Sequence, residues 1–226
     1  QLLADGPPRV TGHLAYRALA RQGALPKRLR TAQITVWLGP RLHAVQYPVR
    51  GGALQNLVVI VQGQPPEDLQ NWDHSANASG LAQALAGTCA ALQDVVRAAP
   101  GAGQGWRLWP LSDRPPLRSA AQMAQGLVAL LGDAAHPMRP YLAQGAGMAI
   151  EDAAQLQHAM AMHDLEVPLR LRRYALNRWE RNARVQARSQ RNGRIFHATG
   201  LVRWGRDLSL RLLGERLLDV PWLYRG

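Results

Sequence analysis

The 226-residue sequence predicts an α+β fold: an antiparallel or mixed sheet in the first part, then a strand–turn–helix unit, then C-terminal helices. Three observations predict it. The first third holds short β-type runs separated by Gly, Pro and Arg clusters. The middle holds one continuous apolar run that ends in Gly132-Asp133 and opens into a turn rich in Pro and Gly. The last third has helical spacing and many arginines.

Thr11 to Ala20, Gln33 to Leu38, Leu42 to Arg50 and Leu54 to Gln62 read as strands of an antiparallel meander, with Gly51-Gly52 as a turn. Pro65-Pro66 ends the sheet, and a polar stretch runs through Trp72. Ser79 to Ala98 reads as one helix, with Leu81, Leu85, Cys89, Leu92 and Val96 on its buried side. A loop from Pro100 to Gly105 leads to a short strand, Trp106 to Leu111. Gly126 to Leu131 reads as a strand buried on both faces. A helix after Gly147 is expected to bury Ala146, Ile150, Ala153, Leu156 and Met160. Pro168 opens a long helix to about Gln190, and Gly193, Gly200 and Gly205 divide the rest into short segments. The expected regions are a sheet domain over 1–120, the strand–turn–helix over 121–163 and a helical region over 164–226.

The chain is 47% hydrophobic, enough for a core, and has no apolar run approaching the ~20 residues that span a bilayer. No signal peptide is visible, so a cytoplasmic protein without membrane attachment is expected. Cys89 is the single cysteine, which excludes an internal disulfide, and it reads as a small buried residue. The net charge is +12, almost all from arginine, since Lys27 is the only lysine. Arg178, Arg181, Arg184, Arg188 and Arg191 share one helix face and read as a solvated or interface helix; nucleic-acid binding is the rival reading. No nucleic-acid partner is expected, because aromatic interleaving is thin there.

Chemistry concentrates in Leu130-Leu131-Gly132-Asp133-Ala134-Ala135-His136-Pro137 and in Gln144-Gly145-Ala146-Gly147-Met148-Ala149-Ile150-Glu151-Asp152-Ala153. A strand delivers a carboxylate at its C-terminal end, the end that ligands favour in such layouts. Asp133 can accept hydrogen bonds from sugar hydroxyls. Gly145 and Gly147 let backbone approach a flat ring. The following helix presents unpaired N–H groups and partial positive charge.

This string closely resembles the second FAD motif of the group A flavoprotein aromatic monooxygenases, the para-hydroxybenzoate hydroxylase-like family, in its salicylate hydroxylase-like branch. Gly12-His13-Leu14-Ala15-Tyr16-Arg17, Trp37-Leu38-Gly39-Pro40, Tyr47-Pro48-Val49-Arg50-Gly51-Gly52, Trp109-Pro110-Leu111, Asp113 to Leu117, Arg173 to Arg181 and Arg191 to His197 are similar to further segments of that family. The resemblance implies a substrate-binding sheet plus the C-terminal part of an FAD-binding Rossmann-like domain. It implies FAD as cofactor, NADH or NADPH as cosubstrate, and hydroxylation of a small aromatic substrate of phenolic or benzoate type with O2. Gly132, Asp133, Pro140, Gln144, Gly145, Ala146, Gly147 and Met148 are the implied FAD contacts.

His43 and Tyr47 share a strand face by period-two counting and are the candidates to line the aromatic pocket, where a base would help deprotonate a phenol. Arg139 is the candidate to attract a substrate carboxylate. His136 is expected to shape the turn.

The family's N-terminal Gly-x-Gly-x-x-Gly turn has no match in these residues, and Ala4-Asp5-Gly6 resembles its Gly-Ala-Asp-Gly motif only superficially. The chain is therefore expected to be a C-terminal portion, with a separate N-terminal FAD-binding segment as partner and room for a homo-oligomer. A non-catalytic remnant of the fold, and an epoxidising or halogenating relative, are the alternatives.

Overall fold

The computed structural model describes residues 6–68, 78–99, 105–217 and 220–224. The stretch ending at Trp72, the loop from Pro100 and the Ala4-Asp5 pair fall largely or wholly outside them. The strands are β1 (Arg9–Arg21), β2 (Thr35–Gly39), β3 (Leu42–Val49), β4 (Leu54–Gln62), β5 (Arg107–Asp113), β6 (Ala124–Gln125) and β7 (Val128–Ala129). The helices are α1 (Ala78–Ala84), α2 (Ala90–Ala98), α3 (Gly145–Met160), α4 (Val167–Phe196), α5 (Gly200–Leu213) and α6 (Pro221–Tyr224). They group into two compact units. One holds 10–111 and 195–212, the other 1–9, 112–194 and 213–226.

The first unit is built on a five-stranded sheet of order β2-β3-β4-β1-β5. The expected meander holds for β2, β3 and β4, which pair antiparallel in turn, whereas β1 pairs antiparallel with β4 and not with β2. Gly51 and Gly52, both with positive φ, turn the chain between β3 and β4. One sheet face carries Leu14, Tyr16, Ala44, Leu57, Val59 and Leu108, which form a core with Leu81, Leu85, Leu92 and Val95. The expected single helix over Ser79 to Ala98 is broken, because Gly87 takes a φ of +81° between α1 and α2. That break resets the helical phase. Cys89 is consequently exposed rather than buried, and Val95 enters the core while Val96 packs at its edge.

In the other unit the expected doubly buried strand is replaced by the two-residue pairing of β6 with β7. Leu127 is 74% exposed and Val128 52%. An apolar run is buried on both faces only where elements cover both, and none of the described residues does so here. The core lies instead around Leu117, Met123, Ala135, Ala159, Leu171, Tyr174 and Ala175. Neither Gly193 nor Gly205 breaks a helix: α4 runs through Gly193 and α5 through Gly205. In place of a Cβ, Gly193 admits the Tyr141 ring, whose nearest carbon would stand 2.6 Å from such an atom.

Candidate functional site

The turn that carries the predicted residues is held by a buried charge network. Asp152, on α3, has no exposed surface. Its Oδ2 accepts the Gly132 N–H at 3.0 Å and His136 Nε2 at 2.6 Å. Its Oδ1 accepts Arg178 Nε at 2.8 Å and Asn182 Nδ2 at 2.9 Å, both from α4. Burial pushes the Asp152 carboxyl up, but the bonds from His136, Asn182, Arg178 and Gly132 outweigh it and hold its pKa at about 2. The carboxylate is therefore ionised, and His136 Nε2 carries the hydrogen it donates. Arg178 also reaches Glu151 at 2.7 Å, and Arg181 binds Glu151 through two nitrogens.

These bonds set the rotation of α3. Met148, Asp152 and Ala159 face inward, whereas Ala146, Ile150 and Ala153, expected to be buried, face out. Leu156 and Met160, also expected to be buried, do pack against the core. The same bonds divide the arginine run on α4 between an interface and solvent. Arg178 is buried and Arg181 partly buried, both tied to α3 carboxylates, so only part of the run is a solvated face. Arg184 lies over the Trp222 ring.

Around this lock the structure gathers most of the predicted residues in one unit. Gly132 is buried with φ +57°, so it has both a left-handed backbone and a hydrogen bond to Asp152. The next residue, Asp133, is exposed, and its side chain has no hydrogen bond or ion pair among the described residues. Ala143, with φ +52°, bends the chain into Gln144, which caps α3. A Cβ at Gly145 would meet open space, whereas one at Gly147 would lie 3.2 Å from Gln144 Oε1. Pro140 is half-buried on the way to this turn. Met148 differs from expectation: its side chain is fully buried with Val185 and Leu223, and its N–H is taken by the Gln144 carbonyl. A side chain needed in the core under α3 is not presented to a ligand.

Arg139 donates from Nε to Asp113 Oδ2 at 2.7 Å, and Arg9 binds the other carboxylate oxygen. Asp113 is fully buried, so Arg139 is positioned by a carboxylate as well as charged.

His43 and Tyr47 belong to the sheet unit. Tyr47 is half-buried and lies opposite Asn56 in the register. His43 is 1% exposed, and its Nδ1 lies 2.8 Å from His197 Nε2. His197 also stacks on His13, with ring centroids 4.9 Å apart. Burial, and secondarily the field of His13, lower the His43 pKa to about 4, so the ring is neutral at neutral pH. The alternation that put His43 and Tyr47 on one face holds, but His197 seals the His43 end, so His43 meets other side chains rather than an open pocket wall.

Sequence reasoning missed the partners: Asp152, Arg178 and Asn182. Their only signals were an i, i+4 pair on α4 and the Glu151-Asp152 pair in a largely apolar helical window.

The model of the FAD binding domain family matches residues 48–192. The chain is 36% identical over 96% of its length to 3-hydroxybenzoate 6-hydroxylase of Polaromonas naphthalenivorans, covering 52% of that protein. It is 35% identical over 99% of its length to 3-hydroxybenzoate 6-hydroxylase 2 of Aquipseudomonas alcaligenes, covering 68% of that protein. A salicylate hydroxylase solved with substrate superposes with a TM-score of 0.80 at 27% identity, over 98% of this chain and 56% of that one. The chain thus spans between about half and two thirds of the length of these proteins. Matched by the family model over more than half its length and by these relatives over nearly all of it, the chain belongs to the FAD binding domain family of flavoprotein aromatic monooxygenases.

Proposed function

We propose that this chain provides the ring-facing loop and the substrate sheet of an FAD-dependent monooxygenase that hydroxylates a phenolic or benzoate-type ring with O2 and NADH or NADPH. The observation that carries the reading is the pairing of Gly132 with Asp152: it fixes the turn while leaving Asp133 exposed and unengaged. The residues fit the cofactor. Asp133 offers a free carboxylate, Gly145 borders open space, and the first-turn N–H groups of α3 lack intrahelical acceptors. Bound there, FAD would supply the electron transfer and oxygen activation that no side chain can.

The protein's own contribution is binding and orientation. Asp133 accepts a hydrogen bond from a hydroxyl of the cofactor's sugar-alcohol chain. The N–H groups of Gly145, Ala146 and Gly147, with the positive end of α3, favour electron density on the ring edge they face. Pro140 and Gln144 close the sides of that turn. Arg139, held by Asp113, attracts a substrate carboxylate. On the sheet, Tyr47 lines the aromatic pocket, while His43 is a neutral ring held against His197. The ADP half of FAD is held by a Gly-x-Gly-x-x-Gly segment outside these residues, on the same or a separate polypeptide.

The experiment is to purify the protein with that segment supplied, confirm bound flavin by its absorbance, and follow NADH and NADPH oxidation with and without 3-hydroxybenzoate or salicylate. Aromatic-stimulated oxidation with a hydroxylated product supports the reading. A protein that retains FAD yet shows no aromatic stimulation with any benzoate or phenol tested rejects it.

A further inference from the structure

On the helix-covered face of the sheet, β4, β1, β5 and α1 leave a cleft of about 450 Å³. The register puts this cleft and Tyr47 on different faces. Tyr47 lies opposite Asn56 and Leu14 opposite Val61, and strand alternation turns Asn56 and Val61 apart. Leu14, Val61, Leu108 and the Tyr16 ring form an apolar, buried floor. Two glycines keep the space open. A Cβ at Gly80 of α1 would stand 3.1 Å from Tyr16 Oη, and one at Gly63 would stand 3.0 Å from Leu14 Cδ1. Tyr16 is 3% exposed, and its hydroxyl has no hydrogen bond among the described residues. Oη thus ends in the cleft beneath Gly80 rather than on a protein acceptor. Burial raises the Tyr16 pKa, so the hydroxyl keeps its proton. A hydroxyl turned inward without a partner destabilises a fold, and here only the cleft can supply one. At the rim, the Gln62, Gln64 and Gln83 amides also lack hydrogen bonds among the described residues. None of the residues that line the cleft is charged.

We infer that this cleft binds an uncharged molecule of one or two rings that carries a hydroxyl or N–H group. Its volume falls within the ~300–1,000 Å³ of small-molecule sites, which combine an apolar wall with a few placed polar groups. The rings rest on Leu14, Val61 and Leu108. The polar group bonds Tyr16 Oη, and the glutamine amides take any second one. A carboxylate is disfavoured, because nothing on the wall pairs with its charge. The ligand therefore differs in charge from a benzoate-type substrate, and it lies on the other side of the sheet from Tyr47. The inference does not depend on the proposed reaction.

The test is a titration of the whole chain, isotope-labelled at its leucine and valine methyl groups, with 2-naphthol at neutral pH. The carboxylate 2-naphthoate is the charged counterpart. The methyl signals of Leu14, Val61 and Leu108 should shift together along one saturating curve, with a dissociation constant on the order of 1 mM or tighter. 2-Naphthoate should bind about 10-fold more weakly or worse. Tyr16→Phe should raise the constant for 2-naphthol by about 3- to 10-fold, the worth of one neutral hydrogen bond, without lowering the melting temperature. Gly80→Ala, whose methyl enters the cleft, should raise it by about 10-fold or more with the circular dichroism spectrum unchanged. Tyr47→Phe, on the other face, should leave it as it is. Methyl signals that do not move, 2-naphthoate bound as tightly as 2-naphthol, or a Tyr16→Phe or Gly80→Ala chain that binds like the parent each overturn the proposal. So do shifts confined to Val45 and Val58, which would place the ligand on the Tyr47 face instead.

Discussion

The Asp152 carboxylate on α3 and the Gly132 backbone N–H are joined by a 3.0 Å hydrogen bond across twenty residues of sequence. That bond fixes where the helix begins relative to the turn that presents Asp133. Adjacent residues therefore part ways: Gly132 is held inward and Asp133 is left outward.

The first expectation concerns the buried ion network. Asp152→Asn leaves Arg178 buried beside a neutral amide, which should cost roughly 3–5 kcal/mol of unfolding free energy. The sign with pH follows from the folded pKa of about 2, below the ordinary 3.8. Asp152 contributes stability above about pH 4 that is lost as pH falls toward 2, worth roughly 2–3 kcal/mol. Urea denaturation at several pH values checks both; an Asp152→Asn variant as stable as the parent would remove the lock from the account.

His43 gives a second pH dependence in a different window. Its folded pKa of about 4 lies below the ordinary 6.5, and the folded state favours the neutral ring. Its contribution is complete above about pH 6.5 and declines as pH falls toward 4, by about 3 kcal/mol at most. His43→Gln should flatten the stability curve in that window. The His43 ring signals in NMR should titrate near pH 4; titration near 6.5 would show that the ring is not sealed.

Cofactor contact and folding should separate at neighbouring positions. Asp133→Ala should leave the melting temperature within about 2 °C of the parent, since no protein partner is lost. It should weaken FAD binding by about 10- to 100-fold, the worth of one hydrogen bond to a charged acceptor. Gly145→Val should behave likewise, because its side chain would enter open space at the turn. Flavin fluorescence titration of the protein with its nucleotide-binding segment supplied reads both.

Gly193→Ala tests packing alone. In an open helix interior this change stabilises by up to about 1 kcal/mol. Here the added methyl would stand 2.6 Å from the Tyr141 ring, so a net loss of roughly 1–3 kcal/mol is expected. Thermal unfolding decides the sign. Gly193→Ala in a Tyr141→Leu background should recover part of the loss.

Local pattern determined much of this molecule. Alternation and turn residues placed β1 to β5, and the antiparallel pairing of β2, β3 and β4 followed from short Gly- and Pro-marked connections, but the pairing of β1 with β4 did not. The ordered string from Gly132 to Met148 identified the flavin family, because a backbone that approaches a ring closely restricts side chains position by position. Periodicity could not say which helix face turns inward. On α3 one buried aspartate, satisfied from another helix and a distant turn, outweighs the apolar pattern of Ile150 and Ala153. Nor could spacing show that His197 would close over His43, or that α5 would bury its arginine and leave Leu201 and Leu208 outside. Those outcomes depend on partners ten or more residues away in the chain. A buried charge takes whichever orientation satisfies its hydrogen bonds, and only the folded chain supplies them.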